Sequence, residues 1–355
     1  MGQSRKLRFA QAGVAAIHAS MYRDTLLMMD DEIELVGFWD PEPEVSRVRI
    51  KPDAEHIPFY DSIGELLEKA QPDAVLVSGY CRDMPGWMLE VAEAGVHVWA
   101  EKPFAVHSDQ LLPVAEAMRR HNLAFSCGYS WRFEPLSLLI KETNDAGLLG
   151  KPYSVEMRLL TSSVKNRDPN HWMFDPALSG GGILNWLGCH WFDLMRFWTG
   201  SEVTKVAAIE ANVSGAAIAV EDAAMVSLQF ANGMVGSLHT GNFLPSGNEI
   251  YFGLRGSDGA VTWRHEDGSC TIHSTNPAWE AAPERTFAMP SAKLAGYGGA
   301  GMRLMRAFAA EIRGEGASGY TIDDAIKSLQ IIEAAHEAAR TGRTVAPADA
   351  TAAVS

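Results

Sequence analysis

The feature that most constrains this chain is the alternation, over its first 125 or so residues, of short apolar runs with helical patterns. LRFAQAG (7–13) reads as a strand and VAAIHASMYRDTLLMM (14–29) as a helix. IELVGFWD (33–40), DAVLVSGY (73–80) and VHVWAEKP (96–103) read as further strands, with helical segments between and after them. Strands that alternate with helices build right-handed βαβ units, and so a mostly parallel, doubly wound sheet. Ligands of such sheets lie beyond the carboxyl ends of the strands. Gly13, Asp40, Ser78, Gly79 and the Glu101-Lys102-Pro103 turn therefore fall along one rim.

After residue 150 the period changes. The segments 153–164, 204–215, 223–241 and 249–275 read as strands, and Asn232-Gly233, Asp258-Gly259 and Asp267-Gly268 predict the tight turns of an antiparallel meander. Helices are expected over 181–198, 300–313 and 321–341. The last has Thr321 and Asp323 at its start and Gly342 just past its end, as helix termini prefer.

A chain of 355 residues with 47% hydrophobic content fills two domains more naturally than one. No apolar run reaches the roughly 18–20 residues that span a bilayer. The N-terminal MGQSRKLRFAQAG is basic, but its apolar run is short and leads directly into patterned sequence, so no cleaved signal is expected. Cys81, Cys127, Cys189 and Cys270 are scattered without a CxxC pair; free buried thiols in a reducing cytoplasm are expected, with neither a disulfide framework nor a zinc site. The net charge of −14 argues against nucleic acid, whose phosphates need a basic surface. The composition predicts a soluble cytoplasmic globular protein.

Three constellations carry chemistry. In FAQAGVAAIH (9–18) only Gly13 remains of what a glycine-rich nucleotide loop would offer, yet phosphates need only backbone N–H groups and a helix dipole. Ala12, Gly13 and Val14 can supply that backbone; an ordinary strand–turn–helix fits the stretch as well. Asp40 can accept hydrogen bonds from an adenosine ribose, and Pro41, Glu42, Pro43 and Glu44 offer no cation for a 2′-phosphate, which favours NAD over NADP. A turn aspartate before proline is the competing role. In AEKPF (100–104) a charged pair sits at a strand's carboxyl end with Pro103 rigidifying the turn, and Lys102, held partly desolvated beside a nicotinamide, can lose or lend a proton at neutral pH; a surface Glu-Lys pair is the alternative. In SGGGILNWLGCHWFDLMRFW (179–198), three glycines would let a ligand approach the backbone, and Trp186, His190 and Asp193 share a helix face. Asp193 can orient His190, which can then exchange a proton with a substrate hydroxyl; a core histidine fits the same pattern.

Together these motifs resemble the Gfo/Idh/MocA family, named for glucose–fructose oxidoreductase and inositol dehydrogenase. The resemblance is carried in order by AGVHVWAEKPF (94–104), GYSWRFEP (128–135), GGGILNWLGCHWFDLMRF (180–197) and AIKSLQIIEAAHEAARTGRTV (325–345). It implies an N-terminal Rossmann domain (1–125) and a C-terminal α/β domain with an open, mostly antiparallel sheet (126–345), used for substrate binding and oligomerisation. Residues 346–355 would be a frayed tail. It further implies a homodimer or homotetramer assembled through the C-terminal sheet, and NAD(P)-dependent oxidation or reduction of a secondary hydroxyl of a sugar, inositol, glycoside or related polyol. Lys102 and His190 match the family's lysine and histidine, and Asp193 the acid three residues on.

The departures are specific. The family's aspartate four residues before the histidine is Trp186, preceded by Asn185; its threonine-proline after the fourth strand is Ser78-Gly79; and Ala10, Ala12 and Ala15 replace its fingerprint glycines. Trp186 can stack on a sugar ring or simply fill the pocket. Lys102 and His190 are the expected catalytic pair, with Tyr129, Arg132, His171, Trp172, Trp186 and Asp193 as substrate-side candidates and Ala12, Gly13, Val14, Asp40, Ser78, Gly79, Glu101 and Lys102 around the cofactor. Two other activities fit the resemblance: redox-recycled elimination through a keto-sugar, and non-catalytic NAD or sugar binding.

Overall fold

The structure is a computed structural model, and it describes residues 5–14, 16, 18–50, 52–163, 167–288 and 297–348. Ala15 and most of the expected tail, 349–355, lie outside the described residues. The chain divides into two compact units, one drawn from 1–130 and 292–326, the other from 131–291 and 327–355.

The first unit is built on five strands, β1 (Leu7–Ala12), β2 (Ile33–Trp39), β3 (Ala74–Val77), β4 (His97–Ala100) and β5 (Phe125–Cys127). They pair in the order β2-β1-β3-β4-β5, and every pairing is parallel. Burial is nearly continuous along them, with β3 buried at all four positions, as expected of a parallel sheet covered on both faces. The first helix is shorter than the periodicity suggests: it runs over Ala19–Leu27 instead of 14–29. Gly13, directly after β1, has φ +90°.

Residues after 125 do not form a single second domain, as the sequence pattern suggested. The helix Gly298–Ile312 buries Ala300, Gly301, Leu304, Met305, Phe308 and Ala309 along one stripe. Its Phe308 ring packs 6.0 Å from Phe9 and 5.9 Å from Trp99, both central to the parallel sheet. Apolar contact of that kind returns the segment to the first unit.

The second unit holds eight strands: β6 (Pro152–Thr161), β7 (Val203–Ala211), β8 (Ala223–Phe230), β9 (Val235–Gly241), β10 (Asn248–Gly256), β11 (Gly259–Arg264), β12 (Ser269–Ser274) and β13 (Glu284–Ala288). Their order is β13-β12-β11-β10-β6-β9-β8-β7. All three expected turns join neighbouring strands, and Gly233 and Gly268 take positive φ there. The meander is interrupted once, where β6 pairs with β9 in parallel. One face of the sheet packs on the helix Cys189–Thr199 through an aromatic slab: Trp191 and Trp198 lie 5.1 and 5.6 Å from Phe252, and Phe252 lies 4.6 Å from Trp263. All four cysteines are buried and free of disulfides; burial pushes the Cys270 thiol up to about 12. No helix among the described residues is long and apolar enough to cross a membrane.

Candidate active site

In the first unit, Gly13, Asp40, Ser78 and Glu101 each directly follow a strand, and parallel pairing puts all four at one sheet edge. Three polar side chains shape the loop that has lost its glycines. Gln11, fully buried, donates to Gly13 O (3.3 Å) and Ala19 O (3.0 Å), tying the turn to the start of the following helix. The Ser78 hydroxyl donates to Gly13 O at 2.6 Å. Asp40 accepts from Val14 N at 2.6 Å and from Glu42 N at 2.9 Å. Gly13 N donates to Trp39 O at 2.8 Å, and a Cβ at Gly13 would overlap the Ser78 carbonyl oxygen. Glycine is thus required at this one position for strands β1 and β3 to close on each other, while alanine serves at Ala12, which is fully buried.

Asp40 fills the turn role read from sequence. It braces its own turn and the nucleotide loop, and the same two amides fix a carboxylate at the rim where a ribose would present hydroxyl donors. Gly79 packs beneath the Trp87 ring, where a Cβ would collide, and Trp87 meets Trp39 edge-on at 5.0 Å. This pair of half-buried indoles at the rim was not anticipated.

Glu101 and Lys102 are buried, which excludes a solvated surface pair. His18 Nδ1 lies 2.7 Å from one Glu101 oxygen, and the Tyr22 hydroxyl donates to the other. Burial works to raise the Glu101 carboxyl, but His18, Lys102 and the Tyr22 hydrogen bond outweigh it and hold the group below its usual range. Tyr22 stacks on Tyr297 at 4.6 Å, and burial together with the Glu101 charge pushes both phenols well up, so both stay protonated donors. Phe104, two residues past Lys102, has φ +78°, a conformation costing a non-glycine residue about 1–3 kcal/mol. Phe125 at 6.2 Å and Tyr129 at 5.5 Å pack against its ring and hold it there. Tyr129, a substrate-side candidate from sequence, is buried between Phe104 and Tyr320 and supports the EKPF turn.

In the second unit the glycine run leads into one turn of π-helix, Leu184–Gly188, and then the α-helix Cys189–Thr199 with His190 in its first turn, 7% exposed. The room left by two of those glycines is taken by protein: a Cβ at Gly181 would strike Asn185 Oδ1, and one at Gly182 would strike the Glu221 backbone. Trp186 is buried with its ring 5.2 Å from Phe174, so it joins His171, Trp172 and Phe174 in one aromatic neighbourhood. His171 Nδ1 accepts from Met173 N at 3.3 Å, capping the Trp172–Phe174 turn. Arg132 and Asp193, separate candidates in the sequence, form a buried bidentate pair, with Nε to Oδ2 at 2.8 Å and Nη2 to Oδ1 closing the fork, while Phe197 lies 5.1 Å from the guanidinium. Asp193 is thus committed to Arg132 in addition to lying one helical turn from His190.

A parallel sheet with a close-packed strand–glycine–helix turn and an anchored acid after the second strand defines a dinucleotide-binding α/β protein. Residues 7–129 match the oxidoreductase family with an NAD-binding Rossmann fold, and residues 138–262 match the GFO/IDH/MocA C-terminal domain. The chain belongs to the Gfo/Idh/MocA oxidoreductase family. It is 25% identical over 307 residues to the rhizopine catabolism protein MocA of Rhizobium meliloti, covering 86% of this chain and 87% of that one. It is 29% identical over 194 residues to the uncharacterized oxidoreductase YrbE of Bacillus subtilis, which is 54% of this chain and 55% of the relative; inositol 2-dehydrogenases are also among its curated relatives. Among solved structures, a levoglucosan dehydrogenase in complex with NADH and levoglucosan has the same fold, with a TM-score of 0.85 at 19% identity over 97% of this chain and 100% of that one.

Proposed function

We propose that the protein is an NAD-dependent dehydrogenase of a secondary hydroxyl on a sugar, inositol, glycoside or related polyol. The observation that carries this reading is the burial of Lys102 beside a carboxylate held ionised by His18 and Tyr22, at the edge where the strand ends converge. NAD, when bound, supplies the hydride acceptor. Ala12, Gly13, Val14, Ser78 and Gly79 form the turn that faces its phosphates, and Asp40 takes the ribose hydroxyls. With Glu42 and Glu44 beside Asp40, a 2′-phosphate meets only acids, which favours NAD over NADP. Lys102 and His190 share the hydroxyl proton, one accepting it and the other holding the oxygen as charge develops. His171, Trp172 and Trp186 face the substrate, with the Arg132–Asp193 pair bracing the helix behind them. Levoglucosan and inositol in the names of relatives fit this polyol class.

We further propose assembly as a homodimer or homotetramer through the large sheet, whose outer face exposes Ile209, its cross-strand partner Met225, and Val235. Light scattering on the purified chain tests this, and a monomer at micromolar concentration would end it.

A screen of sugars, inositols and glycosides followed by NADH absorbance, with product analysis alongside, tests the activity and separates net oxidation from hidden redox elimination. Lys102→Ala and His190→Ala are each expected to abolish turnover of the best substrate while NAD still raises the melting temperature. Full turnover in both variants, or no thermal response of the wild type to NAD, refutes the proposal.

A further inference from the structure

The helix that carries His190 begins in an unusual way. Its first turn, Leu184–Gly188, is π-helical, a geometry that persists where surrounding structure supports it and that recurs at functional sites. Glu221 supplies part of that support. Its carboxylate accepts from Gly182 N (2.8 Å) and Leu184 N (3.0 Å), and its backbone oxygen accepts from Ile183 N (3.1 Å). These bonds satisfy three successive amides at the start of the helix.

The remaining support comes from the opposite end of the sequence. His336, on the helix Ile322–Thr341, places Nδ1 2.8 Å from Glu210 Oε1 on β7 and Nε2 2.9 Å from Asn185 Oδ1 within the π turn. Asn185 is 1% exposed, so its amide orientation is set by this contact and by the packing around it. A side chain at Gly181 would occupy the space that Asn185 and His336 share.

With the Glu210 carboxylate at Nδ1 and the Asn185 amide oxygen at Nε2, both ring nitrogens are placed to donate, an arrangement that favours the protonated ring. The charged groups that act most strongly on it are acidic: Glu210 from β7, Glu221 from the segment before β8, and Glu333 from its own helix. Burial disfavours the charge, but these acids more than offset it and hold the ring above its ordinary value. Glu210, Glu221 and His336 place ligand-type atoms within 4.8 Å of one another, which could suggest a divalent cation. The protonated ring and a metal ion would compete for this cluster, because a ring that donates at both nitrogens offers no lone pair to a metal.

We propose that His336, bridging Glu210 and Asn185, is a positioning residue that fixes the π turn and thereby aims Trp186 and His190. The proposal rests on the reading of His190 as a proton-handling group. Asn185, next to the position where Trp186 replaces the family's aspartate, becomes the point through which the bridge grips the helix.

The test is an NMR titration of the full-length chain carrying carbon-13 histidine, with His336 and His190 assigned by their absence from His336→Leu and His190→Ala. His336 is expected to titrate above its ordinary value of 6.5. In folded His336→Leu, the His190 signal should move. The kcat on the best polyol should fall by roughly tenfold to a hundredfold, the cost of sub-ångström to ångström misplacement, with KM within about twofold. His336→Gln, which keeps one donor for Asn185, should restore most of kcat and remove the loss of activity seen as pH rises through the His336 midpoint. A His336 midpoint at or below 6.5, an unmoved His190 signal in folded His336→Leu, or quenching of the His336 titration by added zinc would each overturn the proposal. If the wild type oxidises no polyol, the dehydrogenase reading fails, and the His190 signal still decides this one.

Discussion

Gly13→Ala isolates the device that replaces a glycine-rich loop. The residue sits at φ +90° with its Cα facing the Ser78 carbonyl, so a methyl group must both adopt a left-handed backbone and push β1 from β3. The backbone alone costs about 1–2 kcal/mol. Displacement forfeits the Ser78 hydroxyl bond to Gly13 O and the Gly13 N bond to Trp39 O, each worth about 1 kcal/mol. Overpacking against main chain adds about 1–3 kcal/mol, for a total of about 4–7 kcal/mol. In a unit of this size that lowers the melting temperature by roughly 10–20 °C. Gly95 is the control: it also has positive φ, at +77°, but an added Cβ there meets nothing within 4 Å, so Gly95→Ala carries only the backbone cost. Thermal unfolding followed by circular dichroism, with NAD titrated by calorimetry, reads both variants. If Gly13→Ala melts within about 2 °C of Gly95→Ala and binds NAD like the wild type, the close-approach argument is wrong.

Two further outcomes follow from buried and half-buried charge. Arg132→Met leaves the Asp193 carboxylate without its buried partner and is expected to cost about 3–5 kcal/mol, with most of that recovered in Arg132→Met/Asp193→Leu; urea midpoints of the single and double variants measure it, and a loss under about 1 kcal/mol in the single variant would count against the pair. Burial would raise the Glu202 carboxyl, but Arg196 and Lys327 pull it down from 4.5 to about 2. Its stabilisation is therefore full above pH 4.5 and lost as pH falls toward 2. Because Glu202 is about half exposed, the effect is discounted to about 1 kcal/mol, seen as a gap between wild type and Glu202→Gln that narrows below pH 4.5. A gap that stays constant with pH contradicts it.

Much of the parallel sheet was legible because its strands are uninterrupted apolar runs ending in turn residues, and the hairpins of the large sheet announced themselves through Asn-Gly and Asp-Gly. β5 has three residues and β13 is an edge strand with alternating exposure, so neither stands out from its flanks. The parallel pairing of β6 with β9 is a long-range event that no local turn encodes. Among the candidate site residues, Asp40 and Lys102 lie just past strand ends and His190 lies in the first turn of a helix, positions that the sequence pattern makes visible. Gln11 is a polar interruption of an apolar run with no motif to mark it, yet together with Ser78, itself a rim candidate, it shapes the loop. Asn185, Glu221, Glu210 and His336 come from four separate segments and carry no shared motif; the glycine run was visible, but the groups filling the space it leaves were not. Arg132 and Asp193 were each singled out, and only the fold could pair them.

The return of residues 297–326 to the first unit has a consequence for biosynthesis. When the ribosome has made residue 130, Phe9, Trp99 and Tyr22 have strands around them but lack Phe308 and Tyr297, whose rings complete their packing. At about 5–20 residues per second, translation of residues 131–291 holds that core incomplete for roughly 10–30 s. During that interval the nascent nucleotide-binding unit presents an aromatic surface to chaperones, and a fragment ending at residue 130 presents it permanently.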